Sequence, residues 1–572
     1  MKRIILSALA VFFCYSLFSI RSDHYTWQKI EITLTSQNAY TNPYTDVEVW
    51  VQLEGPGFSK RCYGFWDGEN TWRIRIMANR SGEWSWTSGS NQADEGLNGK
   101  QGSFVVQDWT LGQKSENPLR KGMIRVSENG HALEYADETP FFWLADTWWP
   151  CMTRRYYWYD DDTRRKVGEP EAGFKDYVLF RKSQGYNGCM VIAAFPNWTE
   201  QKSDWGGGEW EDEDGNRAFF GEGNTPDLDR INPSYFQNMD RKVDYLNEHG
   251  FIPFIETSRR DIAEYWKTNF DWPESYARYI RYLYFRYQGN IVINSPIHLD
   301  AMALTGREWN EVANMVIDDY DWPFFDHLSS ANPPGSTYRT FGHTDQARWL
   351  SFHSIGNERN HNMFPLLTEE FYLDDPVPCL NNEPYYDGLK WGNDADQGSD
   401  LAAYYSRVAL YGSVLSGGIA GHVYGADHIW DGDIQMPGAF LIQSAEQMQY
   451  IYNFLFSEGK VYQYLLPEKE LLVPNQYPNK DKNMGWGYCM HTKKNDLFLL
   501  YFEKNFTRAQ LKTGLSKARY QISWFNPRNG TWSDSWTLES NNSGMLNLTA
   551  FPGDTDTSTI DWGLKVKLVD AR

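Results

Sequence analysis

Cysteine is scarce in this 572-residue sequence, and no two cysteines form a C-x-x-C pair. One of the six lies in an apolar segment at the N-terminus, and the other five are Cys62, Cys151, Cys189, Cys379 and Cys489. An odd number of widely spaced cysteines argues against a disulfide scaffold and against a zinc site. The sequence therefore predicts five buried free thiols, and it offers no candidate site for a metal or a cofactor.

Basic residues are fewer than acidic ones. Asp and Glu number 75 against 54 Lys and Arg, so the net charge is −21 and the sequence pI is about 5.0. Phosphate binding requires a basic surface, so this balance argues against nucleic acid as a partner. Aromatic residues, in contrast, make up 16% of the chain, with 26 Trp and 36 Tyr. Such rings fill protein cores and also stack on sugar rings, and the sequence leaves both uses open.

Long apolar runs are missing beyond the first residues of the chain. The residues Met1-Lys2-Arg3 precede an apolar stretch at 4–18. A short charged segment followed by a short apolar segment is typical of a signal peptide, which we place at residues 1–22. The stretch is short for a membrane span. The prediction is a secreted or periplasmic protein, and its attachment to the cell surface and its oligomeric state are left open.

Two segments, one near each end of the chain, alternate in the manner of β-strands. In residues 24–107 the apolar Val49, Val51 and Leu53 are separated by residues that point the other way, and turn signals fall between such runs. Residues 466–572 repeat this pattern, with an apolar run followed by a turn rich in Asn, Pro and Gly. Each segment is therefore predicted to form a small antiparallel β-sandwich.

Residues 118–465 follow a repeated order of helix, glycine and strand. One copy begins at 232–233 (Asn-Pro), carries apolar residues at spacings of three and four, ends at Gly250 and continues into an apolar strand at 251–256. Helices that alternate with continuous apolar strands indicate a parallel sheet buried on both faces. The eight predicted strands are 141–145, 190–194, 252–255, 291–294, 324–328, 349–352, 377–380 and 419–423.

Eight strands favour an α/β fold of the (β/α)8 TIM-barrel type, flanked by the two β-sandwich domains. An open doubly wound sheet is the alternative, but no Gly-x-Gly-x-x-Gly follows the first strand. In a barrel the reacting groups lie at the carboxyl ends of the strands. Polar and aromatic residues that follow predicted strands are therefore the candidates for a functional site.

Two carboxylates stand out among these candidates. Asp300 follows strand four and Glu383 follows strand seven, so the two lie on facing parts of the barrel rim. Glycoside hydrolysis requires a proton donor and a second carboxylate at the reacting carbon, and this pair suits both roles. The candidate substrate-binding residues are Asp146, Trp148, Trp149, Asn197, Glu256, His298, His353, Tyr424 and Trp430.

Several candidates have a structural interpretation as well. A single Asp after a strand, such as Asp300, often caps a helix or pairs with Arg, and Asp146 is equally compatible with a structural acid beneath a Trp. Glu256 ends a strand, so it is a rival proton donor or an ion-pair partner of Arg259 or Arg260. His353 and Tyr424 are equally compatible with core packing.

Three segments together resemble a known family. Residues 142–149 (Phe-Trp-Leu-Ala-Asp-Thr-Trp-Trp), 381–388 (Asn-Asn-Glu-Pro-Tyr-Tyr-Asp-Gly) and 420–426 (Ala-Gly-His-Val-Tyr-Gly-Ala) are similar to those of apiosidase-type glycoside hydrolases of family 140. Residues 27–106 resemble an uncharacterised N-terminal β-sandwich that is often joined to such barrels. Residues 486–570 resemble a C-terminal domain named for collagen binding.

The resemblance implies a barrel hydrolase that uses a retaining double displacement, with Asp300 as acid/base and Glu383 as nucleophile. One departure is visible. Family members commonly have Gly-Gly-Asp after strand four, whereas this chain has Ser-Pro-Ile-His-Leu-Asp at 295–300.

The leading hypothesis is a secreted retaining glycoside hydrolase that acts on a plant or algal polysaccharide. The alternative is a non-catalytic polysaccharide-binding protein on a degenerate barrel. A polysaccharide lyase is a third hypothesis, and it would require a Lys, Tyr or His base near an Arg or a metal.

Overall fold

The computed structural model describes residues 24–194, 210–222, 225–299, 304–389, 395–432, 437–475 and 483–570. Within these ranges no helix has the length and apolar character needed to cross a membrane. The five cysteines are free and buried.

The N-terminal region consists of two sheets that face each other. Val49, Val51 and Leu53 point into the core between them, as the alternating pattern predicts, while Glu54 is exposed. One sheet has the strand order β1-β8-β7-β3-β4 and the other β2-β6-β5, a sandwich-like arrangement. The elements are β1 (His24–Tyr25), β2 (Ile30–Thr35), α1 (Pro43–Asp46), β3 (Val49–Gly55), β4 (Phe58–Tyr63), β5 (Phe65–Trp66), β6 (Thr71–Ile76), β7 (Gly82–Ser90), β8 (Gln101–Gln107) and α2 (Leu111–Glu116).

The central region is mixed α/β, built around one large sheet. Its elements are β9 (Ile124–Val126), β10 (Leu133–Tyr135), β11 (Pro140–Phe141), β12 (Trp143–Thr147), α3 (Phe174–Ser183), β13 (Gly188–Ala194), β14 (Phe219–Glu222), β15 (Thr225–Ile231), α4 (Pro233–Glu248), β16 (Ile252–Ser258), α5 (Ala263–Asn269), α6 (Glu274–Tyr287), β17 (Ile293–Ser295), α7 (Gly306–Tyr320), β18 (Gly335–Ser336), α8 (Thr337–Phe341), β19 (His353–Gly356), α9 (Met363–Phe371), β20 (Cys379–Asn381), α10 (Asp400–Leu415), β21 (Gly421–Tyr424), α11 (Gln443–Gln447) and α12 (Ile451–Leu455).

The strand order in the large sheet is β17-β16-β13-β12-β21-β20-β19-β18. Every pairing in it is parallel except that of β18 with β19. Strands β12, β13, β16, β20 and β21 are buried along their whole length, because helices cover the sheet. The carboxyl ends of the parallel strands therefore lie along one edge, where polar side chains can meet.

The helix that the sequence predicts before Gly250 is α4. The side chain of Asn232 accepts a hydrogen bond from the Ser234 amide at its start, and Pro233 takes the first helical position. Gly250, with φ of 82°, follows its last turn and leads into β16.

Six of the eight predicted strands overlap observed strands, but two predictions were wrong. Residues 324–328 and 349–352 are irregular segments of bends, turn and unassigned backbone rather than strands. Their apolar residues are buried for another reason: Phe325 stacks on Phe58 of the N-terminal region at 5.4 Å, and Trp349 bonds Asn310 of α7. An apolar run alone does not distinguish a strand from a turn that packs against a neighbouring element.

The C-terminal region is a second sheet-rich unit with a core of its own. A large sheet contains β22-β24-β25-β31-β27-β28, with β29 on β27, and a small sheet contains β23-β26-β30. The strands are β22 (Leu465–Pro467), β23 (Leu472–Val473), β24 (Gly487–Thr492), β25 (Leu497–Phe502), β26 (Gln510–Lys512), β27 (Arg519–Asn526), β28 (Thr531–Trp532), β29 (Trp536–Glu539), β30 (Met545–Asn547) and β31 (Trp562–Asp570).

A buried network of charges joins the N-terminal region to the central one. Asp240 of α4 accepts hydrogen bonds from Arg75 of β6 and from Arg286 of α6. Arg286 also bonds Asp67 in the N-terminal region at 2.8 Å. Each region therefore contributes one arginine and one aspartate to the network at their interface.

Candidate active site

Glu383 lies two residues beyond the end of β20. The Asn382 amide donates to the Ile355 carbonyl at 3.0 Å, and the Asn382 side chain donates to the Ala331 carbonyl at 3.1 Å. These bonds extend the strand direction by one residue, after which Pro384 ends the pairing. Glu383 is thus fixed at the carboxyl edge of the sheet, with only 3% of its surface exposed.

Two side chains hold the carboxylate of Glu383. Asn332 donates to Oε2 at 2.8 Å and Arg359 donates to Oε1 at 3.0 Å. Hydrogen bonds from an amide and from a guanidinium fix the orientation of a buried carboxylate. The geometry therefore holds the Glu383 carboxylate in one orientation, with the guanidinium of Arg359 in direct contact with it.

Glu256 and His298 form a second buried pair next to Glu383. Glu256 Oε2 and His298 Nδ1 are 2.7 Å apart, and both side chains are fully buried. Burial first, and then the charge of Glu383, raises the pKa of Glu256 well above its usual range. Burial, together with the cations of Arg259 and Arg260, lowers the pKa of His298. Both shifts in pKa favour the neutral forms of the two groups, which lie in direct contact beside Glu383.

An aromatic wall borders these carboxyl groups. Trp149 meets His298 edge-on, with ring centroids 4.7 Å apart, and it contacts Trp430 at 5.4 Å and Tyr386 at 6.2 Å. The Tyr386 hydroxyl lies 3.2 Å from Thr147 Oγ1. Among the described residues, the Trp149 indole N–H has no hydrogen-bond partner. Only 6% of Trp149 and 9% of Trp430 is exposed, so these rings pack against one another beside the two carboxyl groups.

Asp146 and Trp148, predicted to bind substrate, lie inside the protein with no exposed surface. Asp146 Oδ2 accepts from Arg181 Nε at 2.6 Å and from the Trp148 indole at 2.9 Å, and Oδ1 accepts from the Thr147 amide. Both carboxylate oxygens are thus occupied by the protein itself, which favours the structural interpretation of Asp146.

His353 and Tyr424 also have partners of their own. The prediction that His353 follows strand six was wrong, because it begins β19. Its ring nitrogens contact Thr337 Oγ1 at 2.9 Å and His343 Nδ1 at 3.0 Å. The Tyr424 hydroxyl lies 2.8 Å from Ser444 Oγ. These contacts favour core packing for both residues.

The structure brings together Glu383, Glu256, His298, Trp149 and Trp430 of the predicted set. The predicted residues Asp300 and Asn197 lie outside the described residues.

Sequence reasoning missed three contacts of this site: Asn332, Arg359 and Tyr386. Asn332 forms a parallel bridge with His298, and Arg359 lies three residues beyond the end of β19. Asn332 lies four residues beyond predicted strand five, so it was not among the residues that directly follow a predicted strand. Predicted strand six ends at residue 352, whereas β19 runs to Gly356, so Arg359 was not among them either. Tyr386 belongs to the segment 381–388 that carries the family resemblance, but nothing in the sequence indicates that its hydroxyl contacts Thr147.

Gly425, directly after β21, makes room for Tyr386. A Cβ atom at this position would lie 2.4 Å from the Tyr386 ring. We expect Gly425→Ala to displace that ring, to lower the free energy of unfolding by about 1–3 kcal/mol and to reduce activity. Thermal unfolding and kinetic assays test this. Gly112→Ala is the matched control, since a Cβ there meets nothing within 4 Å; equal losses in both variants would contradict the steric explanation.

An α/β sheet with two neighbouring buried carboxyl groups and an aromatic wall at the carboxyl ends of its strands is the arrangement expected of a glycoside hydrolase. Residues 127–459, more than half of the chain, match the family described as "Apiosidase-like, catalytic domain". The chain belongs to this family, as the resemblance predicts. Residues 24–91 match a domain of unknown function, DUF5060, and residues 466–566 match the "Putative collagen-binding domain of a collagenase".

Solved structures share this fold. A "putative glycoside hydrolase" from Bacteroides vulgatus is 17% identical with a TM-score of 0.66, and the match covers 96% of this chain and 99% of that one. A family 5 glycoside hydrolase from the same organism is 20% identical with a TM-score of 0.58, over 79% and 95% of the two chains. No curated protein matches the sequence.

Proposed function

We propose that this protein is a secreted retaining glycoside hydrolase that acts on a plant or algal polysaccharide. The observation that carries the proposal is the buried Glu383 carboxylate, held by Arg359 and Asn332 beside an aromatic wall. In the proposed reaction Glu383 attacks the anomeric carbon, and Asp300 protonates the leaving oxygen. Water then hydrolyses the glycosyl–Glu383 ester with Asp300 as base.

We further propose that the large sheet closes into a (β/α)8 barrel. The Asn294 amide of β17 donates to the Leu328 carbonyl at 2.9 Å, and the Ser330 amide donates back to Asn294 at 3.1 Å. On the other side, the Ser351 amide donates to the Ser329 carbonyl at 2.8 Å. These bonds support residues 328–330 as a fifth strand between β17 and β19. The domain limits 24–107, 118–465 and 466–572 are part of the same proposal.

Export is proposed from the sequence of residues 1–22, which has the order of a signal peptide. Expression of the full chain in a bacterial host, followed by N-terminal sequencing of the periplasmic product, tests it. A mature N-terminus close to residue 23 is expected, and full-length protein retained in the cytoplasm would contradict export.

Substrate class is tested by incubating the purified protein with pectic, arabinan, galactan and algal polysaccharides. Released sugars are identified by chromatography and mass spectrometry, and the anomer formed first is read by NMR. Retention of configuration supports the double displacement, and inversion contradicts it. Tight binding without any released sugar would favour the non-catalytic alternative, and products that absorb in the ultraviolet would indicate a lyase.

The proton donor has a second candidate in Glu256, because its pKa is raised and it lies near Glu383. We expect Asp300→Asn to lower the rate on polysaccharide by about 10²–10⁴-fold, the usual contribution of a general acid. With an aryl glycoside of the same sugar, whose leaving group needs no proton, the loss of rate in the first step should be far smaller.

Glu256→Gln is the comparison variant for this experiment. If Asp300 is the acid, Glu256→Gln changes the rates on both substrates by the same factor. If instead only Glu256→Gln loses more rate on the polysaccharide than on the aryl glycoside, the assignment of Asp300 fails and Glu256 is the proton donor.

A further inference from the structure

The loop at residues 357–362, between β19 and α9, carries the arginine that contacts Glu383. Arg359 Nη2 bonds Glu383 Oε1 at 3.0 Å, and its Nη1 bonds Asn357 Oδ1 at 2.5 Å. Asn357 has φ of 55°, in the left-handed region. The guanidinium position therefore depends on the path of this short loop.

The same loop is attached to the C-terminal region two residues further on. His361 Nε2 lies 2.9 Å from Glu503 Oε1, and the His361 ring stacks on Trp486 with centroids 4.0 Å apart. Glu503 directly follows β25 and Trp486 directly precedes β24. One loop thus contacts Glu383 at one end and the C-terminal sheet at the other.

Glu503 is a pre-formed acceptor for this contact. It is fully buried, and it accepts from the Tyr488 hydroxyl at 2.7 Å and from the Trp486 amide at 3.0 Å. Burying a carboxylate costs free energy unless its oxygens accept hydrogen bonds. Releasing His361 would leave Glu503 under-satisfied, so the contact resists opening of the loop.

We propose that the C-terminal domain positions the active site through His361, with Glu503 and Trp486 as positioning residues that hold Arg359 against Glu383. The role of Arg359 in catalysis rests on the proposed function. The attachment of the loop does not, and hydrogen exchange and kinetics test the two separately.

The first arm measures backbone hydrogen exchange in the free, full-length protein. His361→Ala and Glu503→Gln should accelerate exchange in peptides that cover residues 357–362 by about fivefold or more, because the loop opens locally at lower cost. Glu458→Gln is the matched control: it removes salt bridges from Glu458 to Lys565 and Lys567 of β31 at another contact with the C-terminal domain. The control should leave exchange at 357–362 unchanged.

The second arm measures kinetics on the polysaccharide found in the screen. His361→Ala and Glu503→Gln should lower kcat about tenfold with KM within about twofold, since an oriented guanidinium acts on the reacting carboxylate. His361→Gln, which keeps a side-chain N–H donor, should recover part of the loss. In an Arg359→Ala background neither variant should lower kcat by more than about twofold, because the effect passes through Arg359.

Unchanged exchange at 357–362 in both variants would overturn the proposal. So would full additivity with Arg359→Ala, which would mean that the C-terminal domain only stabilises the fold. If the wild-type protein hydrolyses nothing in the screen, the proposed function fails, and the exchange arm alone decides whether the C-terminal domain holds the loop.

Discussion

Glu383→Gln is expected to lower kcat by about 10⁴-fold or more and to leave the protein folded. The amide keeps the size of the side chain and still accepts a hydrogen bond, but it cannot form the glycosyl ester that the proposed mechanism requires. Loss of a nucleophile removes stabilisation that exists only in the reaction itself, so kcat falls rather than substrate affinity. Steady-state kinetics and circular dichroism of the purified variant measure the two effects.

Glu369→Gln is the matched control for that experiment. Glu369 is a partly exposed carboxylate of α9 that pairs with Arg339 on the surface, so its loss should leave both kcat and stability nearly unchanged. A folded Glu383→Gln variant with near-normal turnover would refute the nucleophile assignment. An independent test is Glu383→Gly with added azide and an activated aryl glycoside, in which a glycosyl azide of inverted configuration identifies the missing nucleophile.

Periodicity located the sheet and Glu383, because buried parallel strands are continuous apolar runs followed by polar residues. Periodicity did not identify Asn332 and Arg359, for a physical reason. Phe325 and Trp349 lie in irregular apolar segments that pack against other elements, and the observed strand β19 begins only at His353, after the predicted strand 349–352. Contacts of a carboxylate with side chains from other strands depend on the exact strand ends, which a sequence pattern does not specify.

Glu256 shows the limit of sequence reasoning about charge. From the sequence alone it is a rival proton donor or, otherwise, an ion-pair partner of Arg259 or Arg260. The structure pairs it with His298, where burial and the neighbouring Glu383 raise its pKa. His298 lies in the segment 295–300 that departs from the pattern of the resembled family, and its ring contacts both Glu256 and Trp149. The departure from the family pattern thus coincides with a specific packing arrangement beside the proposed nucleophile.

The largest expected effect on stability comes from the interface between the N-terminal and central regions. Asp240→Asn should lower the free energy of unfolding by about 3–5 kcal/mol, because it leaves the cations of Arg75 and Arg286 buried without their shared counter-charge. Urea unfolding followed by circular dichroism measures this at pH 7. Asp318→Asn, which removes a surface pair with Arg348 at about half exposure, should cost less than about 1 kcal/mol.

The pH dependence of this difference follows from the pKa of Asp240. Burial alone would raise that pKa, but the charges of Arg286 and Arg75 outweigh it and hold the pKa below its usual range. A carboxyl with a depressed pKa stabilises the folded state fully above its unfolded pKa of about 3.9, and this stabilisation declines as the pH falls toward the folded pKa. The stability gap between wild type and Asp240→Asn should therefore be constant from pH 7 to about 5 and narrow below about pH 4. A gap that widens on acidification would contradict the ionised state of Asp240 in the folded protein.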